Sequence, residues 1–68
     1  MEPKDLRKAG LKATTPRLRI LEILQEHGHH HLSDEDIYRR LADAGDDVGL
    51  ATVYRVLTQF EQAGLVTR

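Results

Sequence analysis

The stretch Gly49-Leu50-Ala51-Thr52-Val53-Tyr54-Arg55-Val56-Leu57-Thr58-Gln59-Phe60 constrains this chain more than any other. Val53, Val56, Leu57 and Phe60 fall at i, i+3, i+4 and i+7, the spacing of one apolar stripe on a helix. The opposite face carries Ala51, Arg55, Thr58, Gln59 and Gln62, with Tyr54 and Thr52 on its flanks and no acid before Glu61. Small and hydroxyl residues at the start of a helix let its backbone approach base edges. Arg can fork onto guanine, and apolar groups can touch thymine methyls. That is the equipment of a major-groove reader, although an ordinary amphipathic surface helix has the same periodicity.

With 68 residues the chain has room for one small domain, near the size where a single core barely suffices. It has no cysteine, so neither a disulfide nor a thiolate zinc site can staple it. Its hydrophobic fraction of 40% is too high for a disordered tail. No apolar run approaches the ~20 residues of a membrane span. Met1-Glu2-Pro3-Lys4 does not start a signal peptide, so the chain reads as cytoplasmic, soluble and free of membrane partners.

Helices are expected from nearly end to end. A short first helix is predicted over residues 3–9, closed by Gly10. Thr15-Pro16 then opens a second, with the hydroxyl at the cap and Pro at the first helical position. Leu18, Ile20, Leu21, Ile23 and Leu24 bury that helix, and Gly28 ends it. Ser33-Asp34-Glu35-Asp36 opens a third: Ser33 can cap, Asp36 can reach back, and Leu32 and Ile37 have hydrophobic-staple spacing. Ile37, Tyr38, Leu41 and Ala42 are expected to face inward, with Gly45 as terminator. Asp46-Asp47-Val48-Gly49 forms the turn into the fourth helix, which ends at Gly64.

Leu65-Val66-Thr67-Arg68 has strand propensity and starts like the first strand of a hairpin. Helices followed by such a strand outline a mainly α winged helix-turn-helix, four helices with the start of a truncated β-wing. The third and fourth helices would form the helix-turn-helix itself. On this reading the chain is a fragment, with residues 1–68 forming one DNA-binding domain.

Charge does not announce a nucleic-acid binder, since the formal net charge is -1. Its distribution is uneven. Residues 1–27 carry Lys4, Arg7, Lys8, Lys12, Arg17 and Arg19 against Glu2, Asp5, Glu22 and Glu26, a net of +2. Residues 28–49 carry Arg39 and Arg40 against Asp34, Glu35, Asp36, Asp43, Asp46 and Asp47, a net of -4, and residues 50–68 return to +1. Positive ends and an acidic middle can present one basic face with the acids turned away, or simply a mixed surface.

Several blocks together resemble one known family. They are Leu6-Arg7-Lys8-Ala9-Gly10-Leu11-Lys12, Thr15-Pro16-Arg17, Ser33 with Glu35-Asp36-Ile37-Tyr38, Gly49 to Leu57, and Ala63-Gly64-Leu65-Val66. They are similar to the ferric uptake regulator (Fur) family over essentially the whole chain, and Ala51-Thr52-Val53-Tyr54-Arg55 is the most specific block. The resemblance is strongest to Fur proper among paralogues that include zinc, manganese and peroxide sensors. It implies a bacterial transcriptional regulator, usually a repressor, with an N-terminal winged helix and a C-terminal metal-binding and dimerisation domain absent from these residues. Iron(II) would be the corepressor, an AT-rich palindromic operator in double-stranded DNA the partner, and the full-length protein a homodimer. The fragment alone would be a monomer and would need no cofactor.

The resemblance also implies residue roles. Tyr54 and Arg55 match residues that meet bases in the major groove, and Ala51 and Thr52 match the close-approach and backbone-contacting positions at that helix's start. Lys12 matches a lysine that enters the AT-rich minor groove, where a narrow groove concentrates negative potential. Arg17 matches a phosphate contact. An Arg at a helix start opposes the dipole, so a phosphate partner gives it a reason to be there.

His27, His29, His30 and His31 crowd one loop, where neutral imidazoles are ready metal ligands. Adjacent histidines do not converge on one metal unaided, and no other His, Asp or Glu has a complementary spacing, so the local sequence favours a solvated loop. The resemblance singles out His31 as one ligand of the regulatory metal, its partners lying in the absent domain. The family's structural zinc depends on CxxC pairs outside this chain.

No cysteine nucleophile, phosphate-binding Gly loop or paired carboxylates with split pKa values suggest an enzyme. Two classes remain: sequence-specific DNA binding through the fourth helix, and a winged helix used as a protein-interaction module.

Overall fold

Four helices are present in the computed structural model, which describes residues 3–27 and 32–66. They are α1 (Pro3–Lys8), α2 (Thr15–His27), α3 (Asp34–Asp43) and α4 (Leu50–Gln62), and no strand occurs among the described residues. Helices α2, α3 and α4 pack on one another in all three pairings, while α1 adds Leu6, which is fully buried. The core is wholly apolar. It joins Leu6, Ile20, Leu21, Ile23, Ile37, Leu41 and the complete α4 stripe Val53, Val56, Leu57 and Phe60.

The α3 helix begins as its first residues dictate. The Ser33 hydroxyl accepts the Asp36 N–H at 3.1 Å and the Asp36 carboxylate accepts the Ser33 N–H at 3.1 Å, completing a capping box. Leu32 packs against the core from just before the cap. The helix ends at Gly45, whose φ of 82° lies where a Cβ is penalised. With Gly45 there, its N–H donates to the Ala42 carbonyl at 3.0 Å and the Asp46 N–H donates to that of Leu41 at 2.9 Å. This 5→2 and 6→1 pair is a Schellman motif. The same pair closes α1, where Leu11 N–H reaches Leu6, and α4, where Leu65 N–H reaches Phe60. In both of those cases the residue after the glycine is a leucine packed against the core.

Four expectations change in detail. The first helix stops at Lys8, one residue short of the predicted range. The second begins with Thr15 already helical, and the Leu18 N–H donates to the Thr14 carbonyl at 2.9 Å, so Thr14 rather than Thr15 holds the cap position. Pro16 is therefore second in the helix, still inside the first turn where a missing N–H costs nothing. Tyr38 and Ala42 do not face inward: both are exposed, Tyr38 at 38%. Only the Ile37/Leu41 row of α3 is buried, because a short helix packed from one side buries a narrow stripe. Leu18 and Leu24 are half-buried at the edge of the core rather than within it.

The expected wing begins at Leu65. Leu65 and Val66 are half-buried against the core without a ladder partner among the described residues. Thr67 and Arg68, like Gly28 and the His29–His31 cluster, lie outside the described residues.

The turn from α3 to α4 is held to α2 by Arg19. Its Nε donates to Asp46 Oδ2 at 2.9 Å, and one terminal nitrogen meets Glu22 Oε2 at 2.6 Å. Val48, packed against the core, pins the same turn from below.

Candidate nucleic-acid interface

The burial of Val53, Val56, Leu57 and Phe60 turns the other side of α4 outward. Ala51 and Arg55 are exposed, Thr52, Thr58 and Gln59 half-buried, and Tyr54 is 40% exposed. Ala51, Arg55 and Gln59, four apart, form one row along the helix surface. The helix starts at Gly49, which supplies no side-chain cap, so the positive end of its dipole is left without a side-chain acceptor of its own. Among the described residues Arg55 has no hydrogen bond or ion pair for its five guanidinium donors.

Arg17 is placed differently. One terminal nitrogen donates to the Lys12 carbonyl at 3.1 Å and the other to Gln59 Oε1 at 2.8 Å. These two acceptors are an intramolecular reason for an Arg in the first turn of α2, where the dipole disfavours it. They also draw the backbone at Lys12 to the second half of α4, with the Lys12 side chain exposed. Lys12, Arg17, Gln59, Arg55 and Ala51 thus lie along one continuous stretch of surface.

Tyr54 flanks that stretch on the α3 side. Its hydroxyl donates to Glu35 Oε1 at 2.8 Å, and this bond is the main reason the Glu35 carboxyl is held below its usual pKa. An acid therefore stands at the edge of the face, and of the two surfaces the charge pattern allows, the mixed one holds at this edge. Two of the others have separate tasks: Asp46 clamps Arg19 and Asp36 completes the cap. Asp36 is likewise held low, chiefly by the Ser33 N–H and then by the Ser33 hydroxyl.

Both carboxylates are more acidic in the folded chain, so the unfolded state binds more protons between the folded and unfolded pKa values. Their contribution is complete above the ordinary carboxylate range of about 4 and is lost as pH falls through the lowered folded values. Melting temperature is expected to decline on that acid side. Combining Glu35→Gln with Asp36→Asn should flatten the decline without changing its neutral-pH plateau in shape. An unaltered acid limb in the double variant would show that neither bond contributes.

Residue type alone did not single out Arg19, Glu35 or Gln59. Their roles depend on partners 27, 19 and 42 positions away in sequence. Among the described residues, no three His, Asp or Glu gather as a metal ion would require. The residue expected as a ligand, His31, lies outside them. Among the described residues no helix is long and apolar enough to cross a membrane.

A helix-turn-helix whose second helix turns an exposed Arg and a small residue near its start outward has the outline of the DNA-reading helix-turn-helix class. The family model for the ferric uptake regulator family matches residues 8–68. The ferric uptake regulation protein of Escherichia coli (strain K12) is 67% identical over 63 residues, covering 93% of this chain and 43% of that protein. Among solved structures, the ferric uptake regulator from Pseudomonas aeruginosa with manganese superposes with a TM-score of 0.91 at 62% identity, covering 100% of this chain and 51% of that one. The Vibrio cholerae ferric uptake regulator, described for rearrangement of its DNA-binding domains, also gives 0.91, at 56% identity over 97% of this chain and 50% of its own. The chain belongs to the ferric uptake regulator family. It spans about half the length of the relatives it matches, and the mainly α, winged-helix class expected from the sequence holds.

Proposed function

We propose that these 68 residues are the operator-reading domain of a metal-responsive bacterial transcriptional regulator, usually acting as a repressor. The carrying observation is the outer face of α4, where Arg55 is exposed and has no partner among the described residues, with the Lys12 backbone held alongside. In this reading Arg55 reads a base or clamps a phosphate in the major groove, and Ala51 and Thr52 allow the helix start to approach. Tyr54, whose hydroxyl donates to Glu35, is the second residue that meets bases in this groove. Lys12 enters the adjoining A·T-rich minor groove, and Arg17 contacts a phosphate.

The described residues do not assemble a metal site by themselves. In the proposed whole protein His31 is one ligand of the iron(II) site, and the remaining ligands, the structural zinc and the dimer interface lie outside this chain. The domain alone then binds one half-site as a monomer. It lacks the gain of about 10²–10⁴ that linking a second module supplies.

The test is titration of the chain onto an AT-rich palindromic duplex and a scrambled duplex at several salt concentrations. Binding is expected to favour the palindrome, and its logarithm to fall with log salt by about 0.9 per phosphate neutralised. A palindrome bound no better than its scramble, with no salt dependence, would instead make the face a protein-interaction surface.

A further inference from the structure

We infer that Gln59, acting through Arg17, is a positioning residue that sets the register of the Lys12 loop against α4 and thereby the preference for A·T-rich flanks. The inference rests on the operator-reading role proposed above. Its basis is a bridge rather than a surface charge. The guanidinium of Arg17 spans two acceptors from different parts of the chain, the Lys12 carbonyl at 3.1 Å and Gln59 Oε1 at 2.8 Å, the latter partly buried.

The Lys12 backbone is thus held from both sides. On one side Leu11 is packed against the core and donates its N–H to Leu6 at 2.8 Å, closing α1. On the other, Arg17 ties the carbonyl of Lys12 to α4. The exposed Lys12 side chain therefore starts from a fixed point, and that point is indexed to the row Ala51, Arg55 and Gln59. A lysine that must enter a minor groove while an arginine four residues before Gln59 enters the major groove needs such indexing. A loop free to drift by a residue's width would let Lys12 settle on the nearest phosphate, which carries no sequence preference.

The bridge needs a planar fork. Arg supplies two parallel donors on one rigid group, whereas the Lys ammonium is a point charge on a flexible stem. Arg17→Lys therefore separates two roles. A plain phosphate contact survives it in large part, but a bridge does not.

The experiment measures the chain's affinity for two duplexes that share one half-site and differ only in A·T-rich or G·C-rich flanks. Gln59→Leu removes the acceptor, and the flank ratio is expected to fall to that of Lys12→Ala, with no further fall when the two are combined. Arg17→Lys should lose the same ratio. Gln59→Glu keeps an acceptor for Arg17, so it should hold the parental ratio while weakening both duplexes equally through its added charge. In the free chain, Gln59→Leu should also shift the backbone amide resonances of Lys12 and Ala13, a readout that needs no DNA.

A parental flank ratio in Gln59→Leu or Arg17→Lys overturns the positioning role while leaving operator reading intact. Undisturbed Lys12 and Ala13 amides in Gln59→Leu overturn it as well. Failure of the parent to prefer operator over scramble sinks the operator reading, and the flank role with it. Should Gln59→Leu not fold, the opposed expectations for Arg17→Lys and Gln59→Glu still decide the matter.

Discussion

Replacing Phe60 by alanine is expected to leave the chain largely unfolded at room temperature. Phe60 is the largest of the fully buried side chains and sits where the apolar stripe of α4 meets the rest of the core. Burying a phenylalanine and then deleting its ring costs about 3–5 kcal/mol, from lost transfer energy and from the cavity left behind. At about 0.05–0.15 kcal/mol per residue, 68 residues have a total stability of about 3–10 kcal/mol, so one such loss removes from about a third to all of it. No disulfide can limit the damage, because the chain has no cysteine. The Phe60 carbonyl also receives the Leu65 N–H at 2.8 Å, so loosening this turn of α4 weakens its C-terminal closure too. Circular dichroism during urea titration is the measurement. A Phe60→Ala chain that keeps the parental midpoint would mean the core is not organised around α4.

The α4 stripe is legible in the sequence because helical periodicity is local, and all four of its residues are buried. The Ser33/Asp36 capping box and the glycine closures were legible for the same reason: each is complete within four to six residues. Tyr38 and Ala42 were misplaced because an apolar residue type does not say how wide a stripe its neighbours will cover. Neighbouring helices α2 and α4 decide that, and they bury only Ile37 and Leu41.

The candidate site divides along the same line. Arg55 and Ala51 follow from the helix phase alone, being opposite the stripe. Placing Lys12 beside α4 depends on the Arg17 bridge to Gln59, and the set of Tyr54 depends on Glu35 across the helix-turn-helix. Nothing in periodicity reports a bond between residues so far apart in sequence. The resemblance to a family pointed to Lys12, Arg17 and Tyr54 as residues, but the contacts that orient them come from the packing of α2, α3 and α4.

Arg55→Ala is expected to remove most operator binding while leaving the fold untouched. The two halves of that expectation have different origins. Stability is spared because Arg55 is exposed, lies opposite Val53, Val56, Leu57 and Phe60, and makes no hydrogen bond or ion pair among the described residues. Its removal opens no cavity and strands no buried partner, so the melting temperature should stay at the parental value. Binding suffers because a bidentate contact to a base edge is worth about 1–3 kcal/mol, which at room temperature is roughly a five- to 150-fold loss. The form of the loss tells base from phosphate. If Arg55 forks onto a guanine, the loss falls on the operator and not on a scrambled duplex, and the salt dependence of binding stays nearly parental. If it clamps a phosphate, both duplexes weaken together and the salt slope drops by about one unit. Arg55→Lys sharpens the distinction, since a lysine can replace a phosphate contact but not a planar fork. Fluorescence anisotropy with both duplexes at two or more salt concentrations measures all of this. Parental affinity for the operator in Arg55→Ala would remove α4, in this orientation, from the role of reader.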